Sequence, residues 1–195
     1  MPKTYSQIEK TNIVRELRRA AGDALFKYGV KRTSVDYLVE EVHIPKGTFY
    51  LFYSSKEALF FDVYTNFFKE TEEHYLEKLQ ELDENKIVTN LTKIFSDIVF
   101  DFYQKGIYRF FDDENNAIIM RKISDEDKIN SADEVNNMVE KILAYFFIDD
   151  KADIARFISA LQAILYSLPL AHKLPNMKQA LILLIRGLVL QLVGE

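Results

Sequence analysis

The sequence predicts an all-α protein in two parts, a short three-helix head and a longer helical body. Three observations carry this. Apolar residues recur along the chain at spacings of three and four, the period of a helix with one buried face. Helix breakers are scarce, 6 Gly and 4 Pro in 195 residues, and most stand between apolar-periodic segments. The charge is unevenly shared. Residues 1–56 hold 10 Lys+Arg against 6 Asp+Glu, a net +4, and residues 57–195 hold 15 against 24, a net −9.

The first helix is expected over 7–28. Ile13, Leu17, Ala20, Ala21, Ala24 and Tyr28 form its apolar stripe, and Gly29 follows where a left-handed cap belongs. A second helix starts at Thr33 or Ser34, either of which can cap it, and Val35, Leu38, Val39 and Val42 give its core face. His43-Ile44-Pro45 interrupts. Pro is tolerated in a first helical turn, so Pro45 opens a third helix reaching about Phe52. Ser54 and Glu57 match a capping box, which starts a fourth helix near Lys56 that runs to about Leu82. Further helices are expected over 87–104, 116–123, 125–147, 150–168 and 177–193. The organisation predicted is a head at residues 1–54 and a body at residues 55–195.

Composition excludes several classes. With no Cys there is no disulfide scaffold, thiol nucleophile or Cys-ligated metal. The first six residues hold no apolar signal core, and the apolar run 180–193 is interrupted by Arg186 and Gln191 and is shorter than the ~20 residues that span a bilayer. The expectation is a cytoplasmic protein with no membrane partner. His74 and His172 stand alone, and nothing orients Asp112-Asp113-Glu114 for chemistry. No Ser/His/Asp set and no phosphate-cradling Gly loop is present, so no enzyme, no catalytic residue, no metal and no cofactor are predicted.

Three short helices with a tight turn between the second and third form a helix-turn-helix layout. The stripe of the second helix, with Ile44, Phe49 and Tyr53, supplies a small core. Lys46, Gly47, Thr48, Tyr50 and Leu51 are left to face a groove. Thr33, Ser34, Ser55 and Lys56 place hydroxyls and a cation at the N-termini of the second and fourth helices, where anions are favoured. Phosphate contacts there would set register, while base contacts specify sequence.

The residues Ala21, Phe26, Gly29, Thr33, Val35, Leu38 and Val42, then Lys46-Gly47-Thr48-Phe49-Tyr50 and Ser55-Lys56-Glu57-Ala58-Leu59, resemble the DNA-binding domain of the TetR (tetracycline repressor) family. The likeness covers a quarter to a third of the chain. It implies an N-terminal three-helix helix-turn-helix DNA-binding domain and a C-terminal helical ligand-binding and dimerisation bundle. It also implies a homodimer on palindromic double-stranded DNA, acting as a repressor that a small-molecule effector releases. The DNA contacts it implies, together with the groove-facing reading, are Thr33, Ser34, Lys46, Gly47, Thr48, Tyr50, Leu51 and Lys56. His43 stands where the family commonly has Gly, Pro45 where Ser is frequent, and Leu51 where a polar or aromatic residue is common, which bears on base preference.

The body is rich in aromatic residues, and in this family it holds the effector. Phe102, Tyr103, Met120, Met138 and Tyr166 are the candidate lining of a pocket for an apolar or amphipathic molecule. The last two helices are apolar over more than one face. Phe157, Ile158, Leu161, Leu165, Leu181, Leu184, Ile185 and Leu188 are candidates for a dimer interface, a four-helix bundle with a second copy; the alternative for them is intrachain core. The competing reading of the whole chain is an all-helical ligand-binding or protein-interaction module without DNA binding, against which the Lys46–Lys56 motif and the +4 head both argue.

Overall fold

The structure, a computed structural model, describes residues 5–83 and 86–194, with all side chains in them except those of Asp113 and Ala132. Residues 1–4, where the absence of a signal core was read, lie outside it. Among the described residues there is no strand. The described residues form nine α-helices in succession: α1 (Gln7–Arg32), α2 (Val35–Val42), α3 (Lys46–Phe49), α4 (Lys56–Leu79), α5 (Ile87–Gln104), α6 (Asp113–Met120), α7 (Asp125–Tyr145), α8 (Lys151–Ser167) and α9 (Met177–Val193). Short 3-10 turns cover Ile107–Phe111 and Leu168–Lys173.

The caps explain most of the boundaries. Ser6 and Glu9 form a complete capping box at the start of α1. The helix is broken at Gly29, where φ is 75° and ψ is 173°, a conformation open to glycine and strained for other residues. α2 is capped by Ser34, whose side chain accepts from the Tyr37 N–H. The box expected at the start of α4 is not formed by Ser54. Ser55 caps instead, accepting from the Ala58 N–H at 3.2 Å, because α4 begins one residue after it. α3 is one turn long and gives way to turn conformation after Phe49, short of the expected Phe52. Asp150 caps α8 by accepting from the N–H groups of Ala152 and Asp153.

The chain forms two compact units. The first is residues 1–65 with 105–124, and the second is residues 66–104 with 125–195. The sequence had suggested a division at 54/55; compactness follows another line, because the segment 105–124 packs with the head. Its anchor is the C-terminal end of α1. Buried Asn115 accepts the Val30 N–H at 3.0 Å and donates to Asp112. Gly106, at φ 73°, lies so close to α1 that a Cβ there would stand 2.9 Å from the Cα of Phe26. Lys31 reaches Glu114 from the same end of the helix. The core of this unit is Leu17, Ala21, Leu25, Leu38, Phe49, Leu59 and Phe60.

The second unit is packed chiefly from rings and branched aliphatics. Phe67 and Phe68 of α4 meet Phe102 of α5 at centroid distances of 5.6 and 5.9 Å. Phe95 meets Phe157 of α8 at 4.9 Å. α9 lies along α5 and α8 and contributes buried Leu181, Ile185 and Val189. The stretch Lys151–Lys173 is long and apolar enough to cross a membrane by length and composition, with mean hydropathy 1.5 and one third of the window buried.

Candidate nucleic-acid interface

The turn between α2 and α3 is closed by backbone chemistry. His43 takes the left-handed conformation, φ 57° and ψ 42°, which the sequence pattern places on a glycine elsewhere and which His tolerates better than most side chains. The Ile44 N–H then returns to the Val39 carbonyl at 3.0 Å. Ile44 is half-buried and Phe49 fully buried, so α3 can turn only one way. Its outer face carries Lys46, Gly47, Tyr50 and Leu51, with Tyr50 52% and Leu51 68% exposed. A Cβ at Gly47 would meet no atom within 4 Å, so the backbone itself is open to close approach.

The face has an electrostatic partner that sequence reading passed over. The Lys46 ammonium sits on both carboxylate oxygens of Asp36, at 2.8 and 3.0 Å, and the hydrogen bond from it holds the lysine pKa above its ordinary value. The pair spans the first turns of α2 and α3. Ser34 is exposed beside it. Its hydroxyl oxygen accepts from the Tyr37 N–H but keeps its own proton for an anion.

Three of the residues expected to contact DNA have hydrogen-bond partners within the chain. Thr33 is 2% exposed and donates its hydroxyl to the Gly29 carbonyl at 2.8 Å. Thr48 is 6% exposed, with its hydroxyl 3.0 Å from that of Tyr5. Lys56 donates to the carbonyls of Val30 and Thr33, at 2.8 and 2.6 Å. It is a half-buried cation at the negative end of α1, where such a charge is stabilising. Helix phase alone could not separate these from exposed neighbours, since Thr33 and Lys56 lie at helix ends and Thr48 lies in a single-turn helix, where a one-residue shift decides the direction.

A second unforeseen feature holds α3 from behind. Asp62 of α4 receives a bidentate pair from Arg18 of α1, at 2.7 and 2.8 Å, and the Tyr53 hydroxyl donates to the same carboxylate. Burial first, and then this carboxylate, push the Tyr53 phenol pKa upward, and the Asp62 bond raises that of Arg18. Two helices and the turn after α3 thus meet at one carboxylate.

The residues proposed for an effector pocket are not brought together. Phe102 and Met138 line one apolar cavity of about 40 Å³ with Phe68, Phe95, Val99 and Leu161. That is far below the ~300–1,000 Å³ usual for a small-molecule site. Tyr103 lies on a separate groove of about 440 Å³. Met120 belongs to the first unit, and Tyr166 is 62% exposed.

The interface candidates also divide. Phe157, Ile158, Leu161, Leu181 and Ile185 are buried within the chain, as the intrachain alternative has them. Leu165 and Leu188 are half-buried, and Leu184 is 54% exposed. Exposed apolar side chains from Tyr166 to α9 include Tyr166, Leu170, Leu183 and Leu184. Among the described residues no group of three or more His, Asp or Glu could hold a metal ion.

Comparisons with known proteins bear on this geometry. Residues 17–63 match the family model described as bacterial regulatory proteins, tetR family. The chain is 28% identical over 177 residues to an uncharacterized HTH-type transcriptional regulator in the lacX 3′ region of Lactococcus lactis subsp. lactis, covering 90% of this chain and 84% of that one. The fold is similar to the crystal structure of a putative TetR-family transcriptional regulator from Mesorhizobium loti, with TM-score 0.73 and 14% identity over 97% of this chain and 98% of that one. It is also similar to the transcriptional regulator FadR from Bacillus subtilis in complex with stearoyl-CoA, with TM-score 0.59 and 15% identity over 90% and 97% of the two chains.

Proposed function

Since the chain is a helix-turn-helix transcriptional regulator of the tetR family, we propose that it is a cytoplasmic repressor. It binds a palindromic operator as a homodimer and leaves it when a small apolar or amphipathic molecule enters the body. Residues 1–54 hold the DNA contacts, and residues 55–195 hold the effector and the second copy.

The observation that carries the reading is the outer face of α3. Lys46, Gly47, Tyr50 and Leu51 are exposed on a one-turn helix whose other side is locked into a core. They fall within the matched region and on a head of net +4. With Ser34, they are the residues to which we assign DNA contact. Lys46 and Ser34 reach phosphates, and Tyr50 and Leu51 reach bases, where Leu51 offers a thymine methyl only apolar contact. Catalysis forms no part of this role.

The effector reading is supported by the apolar lining around Phe102 and Met138, and by the acyl-CoA bound to the similarly folded FadR. The cavity must widen to take a ligand, so binding selects a rarer body conformation that holds the heads out of register. The dimer reading is supported by the exposed Tyr166, Leu170, Leu183 and Leu184 on a unit whose interior is already filled.

Gel shift with DNA upstream of the chain's own gene, with sedimentation of the free protein, tests the proposal. A salt-sensitive shift at nanomolar protein and a dimer at micromolar protein are expected. No sequence preference over random DNA defeats the repressor reading, and a monomer defeats the homodimer.

A further inference from the structure

A groove of about 440 Å³ lies on the second unit between α4, α5 and the start of α9, apart from the apolar cavity around Phe102. Its walls are unusual in combination. Asp97 and Asp101, one helical turn apart on α5, bring two carboxylates, and Tyr75, Phe100 and Tyr103 bring aromatic rings. This is the chemistry that recognises an organic cation: ring faces attract the charge through their quadrupoles, and carboxylates set its sign.

One cation already uses it. The Lys178 ammonium, from the first turn of α9, stands 5.1 Å from the centroid of the Phe100 ring. The ring face is therefore accessible to a positive group, and the chain's own lysine occupies it on a flexible four-carbon stem. The Tyr75 phenol senses the same field, its pKa raised by burial and then by Asp97 and Asp101. Positive groups also stand nearby. The start of α9 presents about half a positive charge, and Lys93 meets Asp97 at 3.0 Å from an exposed position where such pairs are weak.

We propose that this groove binds an organic ammonium ion, seated over Phe100 in place of Lys178 with its charge met by Asp97 and Asp101. The guest carries an aromatic or alkyl body, because Tyr75, Phe100, Tyr103 and Met177 give the groove apolar wall beside the polar His74 and Gln104. The lysine is a built-in competitor: its stem swings into solvent when a better-fitting cation arrives, which sets a threshold concentration for occupancy.

The test uses the full chain without DNA, so its outcome is independent of the repressor reading. Benzyltrimethylammonium is titrated calorimetrically, with neopentylbenzene as the uncharged isostere. A Kd below about 1 mM is expected for the cation, with the isostere at least tenfold weaker. Asp97→Asn with Asp101→Asn should weaken the cation about tenfold. Lys178→Ala should tighten it about threefold, since removing a competing cation leaves the ring face free. Lys178 is exposed, so that variant tests the idea even where the aspartate variants fold poorly. No binding up to about 10 mM, equal affinity for the isostere, or weaker binding by Lys178→Ala overturns the proposal.

Discussion

The two compact units are held together by different physics. In the first, single directed bonds tie helix ends and turns. Asn115 takes the Val30 N–H, Lys56 takes two carbonyls beyond the Gly29 break, and Asp62 collects Arg18 and Tyr53. In the second, rings and branched aliphatics pack in bulk. Two hydroxyls buried there, those of Thr92 and Ser96, have no hydrogen-bond partner, and the unit carries them inside its apolar surroundings. Directed bonds fix the phase of the one-turn α3, the helix to which we assign the DNA groove. Bulk packing allows alternative arrangements at modest cost, as an interior that admits a guest requires.

The contrast can be broken at either end. The largest effect is expected from Phe102→Ala, which removes the ring shared by Phe67 and Phe68. The loss should be about 3–5 kcal/mol in urea denaturation, and a loss below about 1 kcal/mol would mean the second unit is not held by its rings. Next is Asn115→Ala, which strands the buried Val30 N–H. About 2 kcal/mol should go, with faster hydrogen exchange at the Val30 amide as the local signature.

Lys56→Ala should cost about 1–2 kcal/mol of stability by freeing the Val30 and Thr33 carbonyls, yet leave the salt dependence of DNA binding unchanged. Lys46→Ala should do the reverse, with stability within about 0.5 kcal/mol and the salt slope lower by about one. If the slopes trade places, Lys56 is the phosphate contact after all.

Tyr53→Phe should cost about 1 kcal/mol at neutral pH. Its pH dependence has a definite sign. The phenol pKa is raised above 10.0 in the folded chain, so its contribution is complete below pH 10 and is lost as pH climbs toward the folded value. The gap between wild type and Tyr53→Phe should therefore close in alkaline solution, and a gap that widens would contradict the assignment.

Much of the scaffold was legible in the sequence because long apolar periods leave little choice. α5 and α9 run over the residues expected, and Gly29 breaks α1 where a cap was expected. Local ambiguity accounts for the misses. Ser54 and Ser55 are equivalent on paper, and only the true start of α4 selects Ser55. Thr33 and Thr48 fit a contact pattern, but their hydroxyls have partners within the chain. Asp36 drew no notice because its role exists only once Lys46 is beside it. The eight interface candidates were chosen for apolarity, and apolarity is what sends five of them into the core. Nothing in the residues 105–124 announces that they pack against α1, since the polar contacts of Asn115 are long-range.

That last segment has a consequence for how the protein is made. The first unit is discontinuous, so the Val30 N–H acquires its partner only after Asn115 has been synthesised. At about 5–20 residues per second, a ribosome takes roughly 3–12 s to travel from the end of the unit's first stretch to the end of its second. For that interval the nascent head has α1 to α3 but lacks Asn115, the Gly106 approach to Phe26 and the Glu114 contact. The reading head would therefore be completed late in synthesis, and a fragment ending after α3 would not be a detachable cassette.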